Sequence, residues 1–405
     1  MKRSIKIAVA AAVALSATSA FATNGDHLIG MGAKARGMGG IGIGMSHGAE
    51  SALANPALIG SVKGTEISFG GTVFMPDVKT DLGDGTGYKE SDADLSIIPE
   101  VAIASKASDV FYWGIGMYGT AGMGTDYRDA TGGAANFNMV TNLQLMQFAV
   151  PLTYKSEGFS IGIAPVLQYG SLDINYKNNS GGSLAGGAGL ANGATATTKG
   201  VAQDFGVGYN IGTAYELNGL TLGASYKSAI EMTYKGQISQ AMKDFTGTLG
   251  SDDLEQPAEM GAGASYTIDG HTFAVDYKKI KWSDAKGYKD FKWEDQNVYM
   301  IGYQYAQDNW ALRAGYNHAS SPIKEQGSAG YLSNVFNLLG FPAIVEDHYT
   351  VGASYAFSKM VSMDIAYVYA DEATDKYVYD LGGGATTITT KHSQDAVSVQ
   401  VNFNF

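Results

Sequence analysis

Asp395-Ala-Val-Ser-Val-Gln-Val-Asn-Phe-Asn-Phe405 alternates apolar and polar side chains without a break. A period of two sends successive side chains to opposite faces of a strand. Val397, Val399, Val401, Phe403 and Phe405 then share one face, while Ser398, Gln400, Asn402 and Asn404 share the other. A strand with one apolar and one polar face suits a membrane β-barrel, whose wall meets lipid outside and water inside. The aromatic residue at the end, Phe405, resembles the assembly signal that such barrels carry.

The opposite end points to the same compartment. Lys2, Arg3 and Lys6 precede an apolar run, Ile7 to Leu15, and then Ala20-Phe21-Ala22. A basic stretch, a short apolar stretch and an A-x-A site are the marks of a secretory signal, expected here over residues 1–22. The run is too short for a spanning helix, which needs about 20 apolar residues. Any crossing of the membrane must therefore use strands.

Composition agrees with that reading. Glycine supplies 54 of 405 residues, and there are 25 Tyr and 8 Pro. Tyrosine belts mark the lipid–water boundary of barrels. The absence of Cys excludes disulfides and thiol nucleophiles. Loss of Lys2, Arg3 and Lys6 would take the formal charge from −12 to −15, and an acidic chain without basic clusters argues against nucleic-acid binding.

Fourteen alternating segments follow residue 65, near 66–75, 96–105, 110–118, 142–154, 159–171, 204–216, 220–234, 259–267, 271–279, 297–306, 310–317, 347–357, 361–369 and 395–405. Most are close to the ~9–11 residues a tilted strand needs to cross a bilayer. Short polar turns, such as Leu217-Asn218-Gly219 and Ile268-Asp269-Gly270, alternate with long connections along the chain. Barrels of the outer membrane keep short turns in the periplasm and long loops outside. The fold expected is all-β, a fourteen-stranded antiparallel transmembrane barrel over 65–405.

Residues 23–64 do not alternate. They contain Gly32-Ala-Lys-Ala-Arg-Gly-Met-Gly-Gly40 and Asn55-Pro56-Ala57. A bore of this strand number has room for such a segment as a plug. Those two motifs resemble the N-terminal hatch of the FadL/TodX family of outer-membrane transporters for hydrophobic compounds. Lys292-Trp293-Glu294-Asp295, Trp310-Ala-Leu-Arg-Ala-Gly315 and Ser321-Pro322 extend the resemblance. It implies passive uptake of a long-chain fatty acid or an aromatic hydrocarbon, with no cofactor. It also implies a gating hatch around Arg36, Asn55, Pro56 and Ala57, and a kinked third strand that opens the wall sideways.

Gly119, Gly122 and Gly124 are the expected kink, since glycines inside strands mark bulges and bends. In the loop 318–346, Leu332, Val335, Phe336, Leu338 and Leu339 have helical spacing, with Phe341 following. This gives an apolar face on an exposed element, expected to capture ligand. Arg313 and Lys34 are the candidates to meet a ligand carboxylate. The remaining expectations are a monomer, surrounded by outer-membrane lipid and lipopolysaccharide and inserted by the barrel assembly machinery.

Other signals are weaker. Gly37-Met-Gly-Gly-Ile-Gly42 lacks the strand–helix context of a dinucleotide loop. The six His show no spacing suited to zinc. A diffusion porin is the alternative, and a hydrolase built on His318 or His348 with Ser320 or Ser321 is a more distant one.

Overall fold

The structure is a computed structural model, and it describes residues 23–130, 135–177, 195–197, 200–246, 250–327, 330–380 and 384–405; the expected signal peptide lies outside the described residues. Fourteen strands close into one antiparallel barrel. They are β1 (Thr65–Asp81), β2 (Ser96–Lys106), β3 (Phe111–Asp126), β4 (Val140–Ala149 and Leu152–Ser156), β5 (Phe159–Lys177), β6 (Ala202–Leu217) and β7 (Leu220–Lys227). There follow β8 (Glu259–Ile268), β9 (His271–Ile280), β10 (Gln296–Gln307), β11 (Trp310–Ala319), β12 (Asp347–Ala356), β13 (Val361–Tyr379) and β14 (Thr386–Asn404). Each strand pairs with its neighbours in sequence, and β14 pairs with β1 from Thr389 opposite Asp81 to Asn404 opposite Glu66.

The alternation read in the sequence is realised on the two faces of the wall. Val399 and Phe403 are exposed, whereas Ser398, Gln400 and Asn402 are buried inside. Phe273, Val275 and Tyr277 face out, with Asp276 inward. Tight turns join the strands at one end. Glu157-Gly158, Asn218-Gly219 and Asp269-Gly270 each hold two residues at positive φ, the conformation a two-residue hairpin turn requires.

Several strands depart from expectation: β1, β5 and β13 run on to Asp81, Lys177 and Tyr379, and β14 starts at Thr386 rather than 395. β4 is split, because Pro151 has no N–H to add to the ladder. β7 stops at Lys227 rather than at 234; the chain then turns inward and buries Ile230, Met232 and Tyr234. Those side chains lie over Gly170, Gly206 and Gly208, where any Cβ would stand within 2.6 Å of them. β3 runs on to Asp126 rather than stopping near 118.

Residues 23–62 lie within the cylinder, mostly buried. Inward glycines make room for their backbone. A Cβ at Gly223 would meet the Ile43 carbonyl oxygen at 1.9 Å, one at Gly315 the Gly39 nitrogen at 2.1 Å, and one at Gly352 the Gly37 Cα at 3.0 Å. Here is the use of much of the high glycine content: a smooth inner ledge. Met38, Ile41, Leu53 and Ile59 are fully buried there, and each such side chain stabilises by roughly 1.5–3 kcal/mol.

Candidate functional site

The inner segment is fastened by polar groups at several heights of the wall. Its short helix Gly32–Arg36 ends in Arg36, whose buried guanidinium pairs with Glu100 on β2 and donates to Thr72 Oγ1 on β1 at 2.7 Å. The Asp276 carboxylate accepts from the N–H groups of Gly42, Ile43 and Gly44 at 2.8, 2.7 and 2.9 Å. Successive N–H groups aimed at one anion form a nest, with partial charge that balances the carboxylate.

Asn55 caps the 3₁₀ turn Pro56–Ser61 by accepting from the Ala57 N–H at 3.1 Å, and Pro56 occupies the first turn, where no N–H is needed. The Asn55 amide also donates to Thr213 O on β6 at 3.1 Å, and Thr153 on β4 donates to Pro56 O at 2.6 Å. Asn55-Pro56-Ala57 is thus an anchor to the wall.

Lys34 and Arg313 lie in this same layer. Lys34 Nζ is 3.2 Å from Glu50 and 3.8 Å from both Glu66 and Asp364. Arg313 donates to Gln304 at 2.8 Å and Ser354 at 2.5 Å, and lies 3.7 Å from Asp364. Burial pushes the Glu50 carboxyl up to about 7, against the pull of Lys34. Burial, with the Arg313 charge, pushes His47 down to about 3, so its ring is neutral and pairs with the Ile41 carbonyl at 2.7 Å.

Above the inner segment apolar side chains surround a small cavity with room for about one water. Its lining comes from Met123 on β3, Leu143 on β4, Leu172 and Ile174 on β5, and Ile238, Leu254, Tyr288, Phe291, Trp293, Asn337 and Phe341 on the long connections. Its polar groups already have partners. Asn337 accepts from Trp293 Nε1 at 3.0 Å and donates to Phe291 O at 3.0 Å, while the Tyr288 hydroxyl donates to Asp26. Trp282, Tyr288 and Trp293 form a cluster with ring centroids 4.6 to 4.9 Å apart between cavity and inner segment. Gly25 approaches Trp282 so closely that a Cβ would stand 2.5 Å from its ring.

The helix expected in the 318–346 loop is present as Tyr331–Val335, continued by a π-helical turn, Phe336–Gly340. It is not an exposed element, which corrects the sequence expectation. Val335, Phe336, Leu338 and Leu339 are buried, Phe341 nearly so, and Leu332 partly. Helical spacing reveals an apolar face but not what covers it. Here the face closes the barrel mouth.

Beside the cavity the wall is interrupted. The ladder between β2 and β3 ends at Glu100 opposite Tyr118, so Ser96 to Pro99 pair only with β1. β3 slips by one residue against β4 between Gly119 and Ala121, leaving Thr120 as the extra residue of a bulge. Exposure alternates from Phe111 to Gly116 and then ceases; every residue from Tyr118 to Thr125 is buried.

The inner segment fills part of this break, with His27 opposite Ala121 and the Gly122 N–H donating to Asp26 O at 3.0 Å. Asp92 N–H donates to Asp126 O at 2.8 Å and frames the upper edge. Ile98 packs on Gly119, whose Cβ, were one present, would lie 2.6 Å from Ile98 Cγ2. Of the three glycines expected at a kink, Gly119 stands at the bulge, and Gly122 and Gly124 stand just above it.

A family model described as outer membrane protein transport protein (OMPP1/FadL/TodX) matches residues 7–405. The chain belongs to this family. The protein is accordingly an outer-membrane transport protein, of a family whose members are channels and transporters. Solved structures share the fold. A Pseudomonas aeruginosa FadL homologue is 17% identical with a TM-score of 0.72, over 94% of this chain and 100% of its own. The Pseudomonas putida toluene transporter TodX is 20% identical with a TM-score of 0.69, over 93% and 99%. The Ralstonia pickettii toluene transporter TbuX is 17% identical with a TM-score of 0.67, over 93% and 98%.

In sequence, an uncharacterized Chlorobium limicola protein from the 5′ region of the phosphoenolpyruvate carboxykinase gene is 41% identical over 104 residues, 25% of this chain. The match spans 50% of the length of that relative.

Against the family frame, the distant hydrolase reading gains no geometry. His318 pairs with Asp347 at 2.8 Å and His348 with Gln394 at 3.2 Å, and among the described residues neither is hydrogen-bonded to Ser320 or Ser321. Most of the cavity lining was missed in the sequence. Ile238, Leu254, Tyr288 and Phe291 lie on separate long connections, and only Trp293 stood in a motif the resemblance had singled out.

Proposed function

We propose that the protein carries uncharged hydrophobic small molecules across the outer membrane by diffusion and releases them sideways through the break between β2 and β3. The observation that carries this reading is the contact of an apolar cavity with β3, whose ladder to β2 stops at Tyr118: Met123 lines the cavity from the upper half of that strand. A ligand reaches the cavity by displacing the 331–340 helix, crosses the wall beside Ile98 and Gly119, and enters the bilayer. Residues 23–64 act as a hatch that bars the periplasmic end, held at Arg36, Asn55, Pro56 and Ala57.

An aromatic hydrocarbon suits the cavity better than a fatty acid. A buried carboxylate needs a cation or several donors. Lys34 and Arg313 are engaged with Glu50, Asp364 and Ser354 in the layer below, and the cavity lining holds neither Lys nor Arg. The space left between its side chains would hold about one water, so the cavity is closed at rest and side chains must part for a ligand. That two of the structural neighbours are toluene transporters supports the reading.

The remaining features are part of the same proposal. Residues 1–22 are a cleaved signal, Phe405 is read by the assembly machinery, and the self-closed cylinder works as a monomer in lipid and lipopolysaccharide. Vesicles containing the protein are expected to take up toluene faster than protein-free vesicles, to take up decanoate more slowly than toluene, and to exclude sugars. Free passage of glucose would instead establish a porin.

A further inference from the structure

The helix that closes the mouth has its C-terminal carbonyls held by three threonines of the wall. Thr390 on β14 donates to Leu338 O at 2.8 Å, Thr125 on β3 to Leu339 O at 2.8 Å, and Thr141 on β4 to Gly340 O at 2.5 Å. The last turn of a helix leaves its carbonyls without intrahelical partners, so these hydroxyls satisfy groups that would otherwise be buried unpaired. Thr141 also accepts from the Thr125 N–H at 3.1 Å, which links the two strands at the point where both touch the helix.

The three tethers are not equivalent. β14 at Thr390 is paired on both sides, with Asp375 on β13 and Thr80 on β1, so the wall holds it without help. β3 at Thr125 is paired on one side only, with Thr141. Its other edge has no ladder to β2 above Tyr118. The upper half of β3 is therefore positioned by β4, by the hatch at Asp26 and His27, by Ser91 and Asp92 at Asp126, and by the mouth helix through Thr125.

We infer that Thr125 and Thr141 are positioning residues that couple the mouth helix to the lateral break, so that a ligand lifting the helix also loosens the β3 segment through which it leaves. This rests on the proposed lateral release. Coupling of this kind requires an element whose position both sites bias, and Gly119 to Asp126 is that element. The chain holds no cysteine, so a single Thr120→Cys reports on the break cleanly. Thr120 is buried at the bulge, its hydroxyl without a partner.

The test compares the rate at which a membrane-permeant maleimide labels T120C in three backgrounds: otherwise native, T125V/T141V and T390V. Without ligand, T125V/T141V is expected to label about tenfold faster than the native background, as the loss of three hydrogen bonds at about 0.5 kcal/mol each implies. T390V is expected to label at the native rate, although it frees the same helix turn. Toluene should accelerate labelling in the native and T390V backgrounds, with little further gain in T125V/T141V, and T125S/T141S should restore slow labelling. If the double variant fails to assemble, T125V alone serves the same comparison.

Equal rates for T125V/T141V and the native background without ligand would overturn the inference, and so would an equal rise with T390V. A response to toluene absent from every background, with the ligand-free difference intact, would leave the coupling standing and remove lateral release instead.

Discussion

Two seams of the wall, separated only by the β1–β2 ladder, are built to opposite standards. β14 and β1 close the cylinder through sixteen consecutive pairs, from Thr389–Asp81 to Asn404–Glu66. β2 and β3 share only seven, from Glu100–Tyr118 to Lys106–Tyr112. A free strand edge within hydrocarbon leaves N–H and C=O groups unpaired at a cost of several kcal/mol each, which is why barrels close fully. Here the shorter seam is tolerated because other elements cover it: the inner segment at Ala121 and Gly122, Ser91 and Asp92 at Asp126, the mouth helix at Thr125, and Ile98 against Gly119. Pro99 on the β2 edge has no N–H to leave unpaired. The contrast teaches that the break is a made feature, supported from inside.

The same substitution placed in each seam breaks the comparison most forcefully. A Cβ at Gly70 would stand 2.4 Å from the Val399 carbonyl oxygen, which is backbone of the closing seam and cannot move aside. G70V is expected to yield no folded barrel, read as loss of heat-modifiable migration on gels. G119V meets only the Ile98 side chain, which can rotate. It should fold, with thermal stability near the native value, while uptake of toluene falls several-fold because the added methyl groups wedge against the exit.

A smaller but still large effect belongs to the support beneath the break. Glu100 is the last residue of the short seam and is buried with Arg36. Arg36→Met leaves that carboxylate unpaired, with an expected loss of about 3–5 kcal/mol in hatch docking. Hydrogen exchange of residues 32–45 should rise while that of β14 does not. Equal rises in both would mean that the hatch and the wall unfold together.

Much of this architecture could be read before any coordinates. Strict alternation fixed the inward and outward faces, and Asn218-Gly219 and Asp269-Gly270 marked turns by the positive φ they permit. Asn55-Pro56-Ala57 and Arg36 were singled out by resemblance, and both are fastened to the wall.

What stayed hidden depended on distant contacts. Ile230, Met232 and Tyr234 alternate like a strand, yet they turn inward because Gly206 and Gly208 leave space for them. The 331–340 helix shows its apolar face in the sequence, but its cover comes from β3, β4 and β14. The cavity could not be read at all, since its lining is drawn from many separate segments.

The most direct trial of sideways release is a bond across the break. A Cβ built at Gly119 lies 3.7 Å from the Cβ of Ile98, within the span of a disulfide, and no native cysteine competes. I98C/G119C should take up toluene poorly when oxidised and regain uptake when reduced. Uptake that proceeds unchanged with the disulfide closed would show that the ligand leaves by another path.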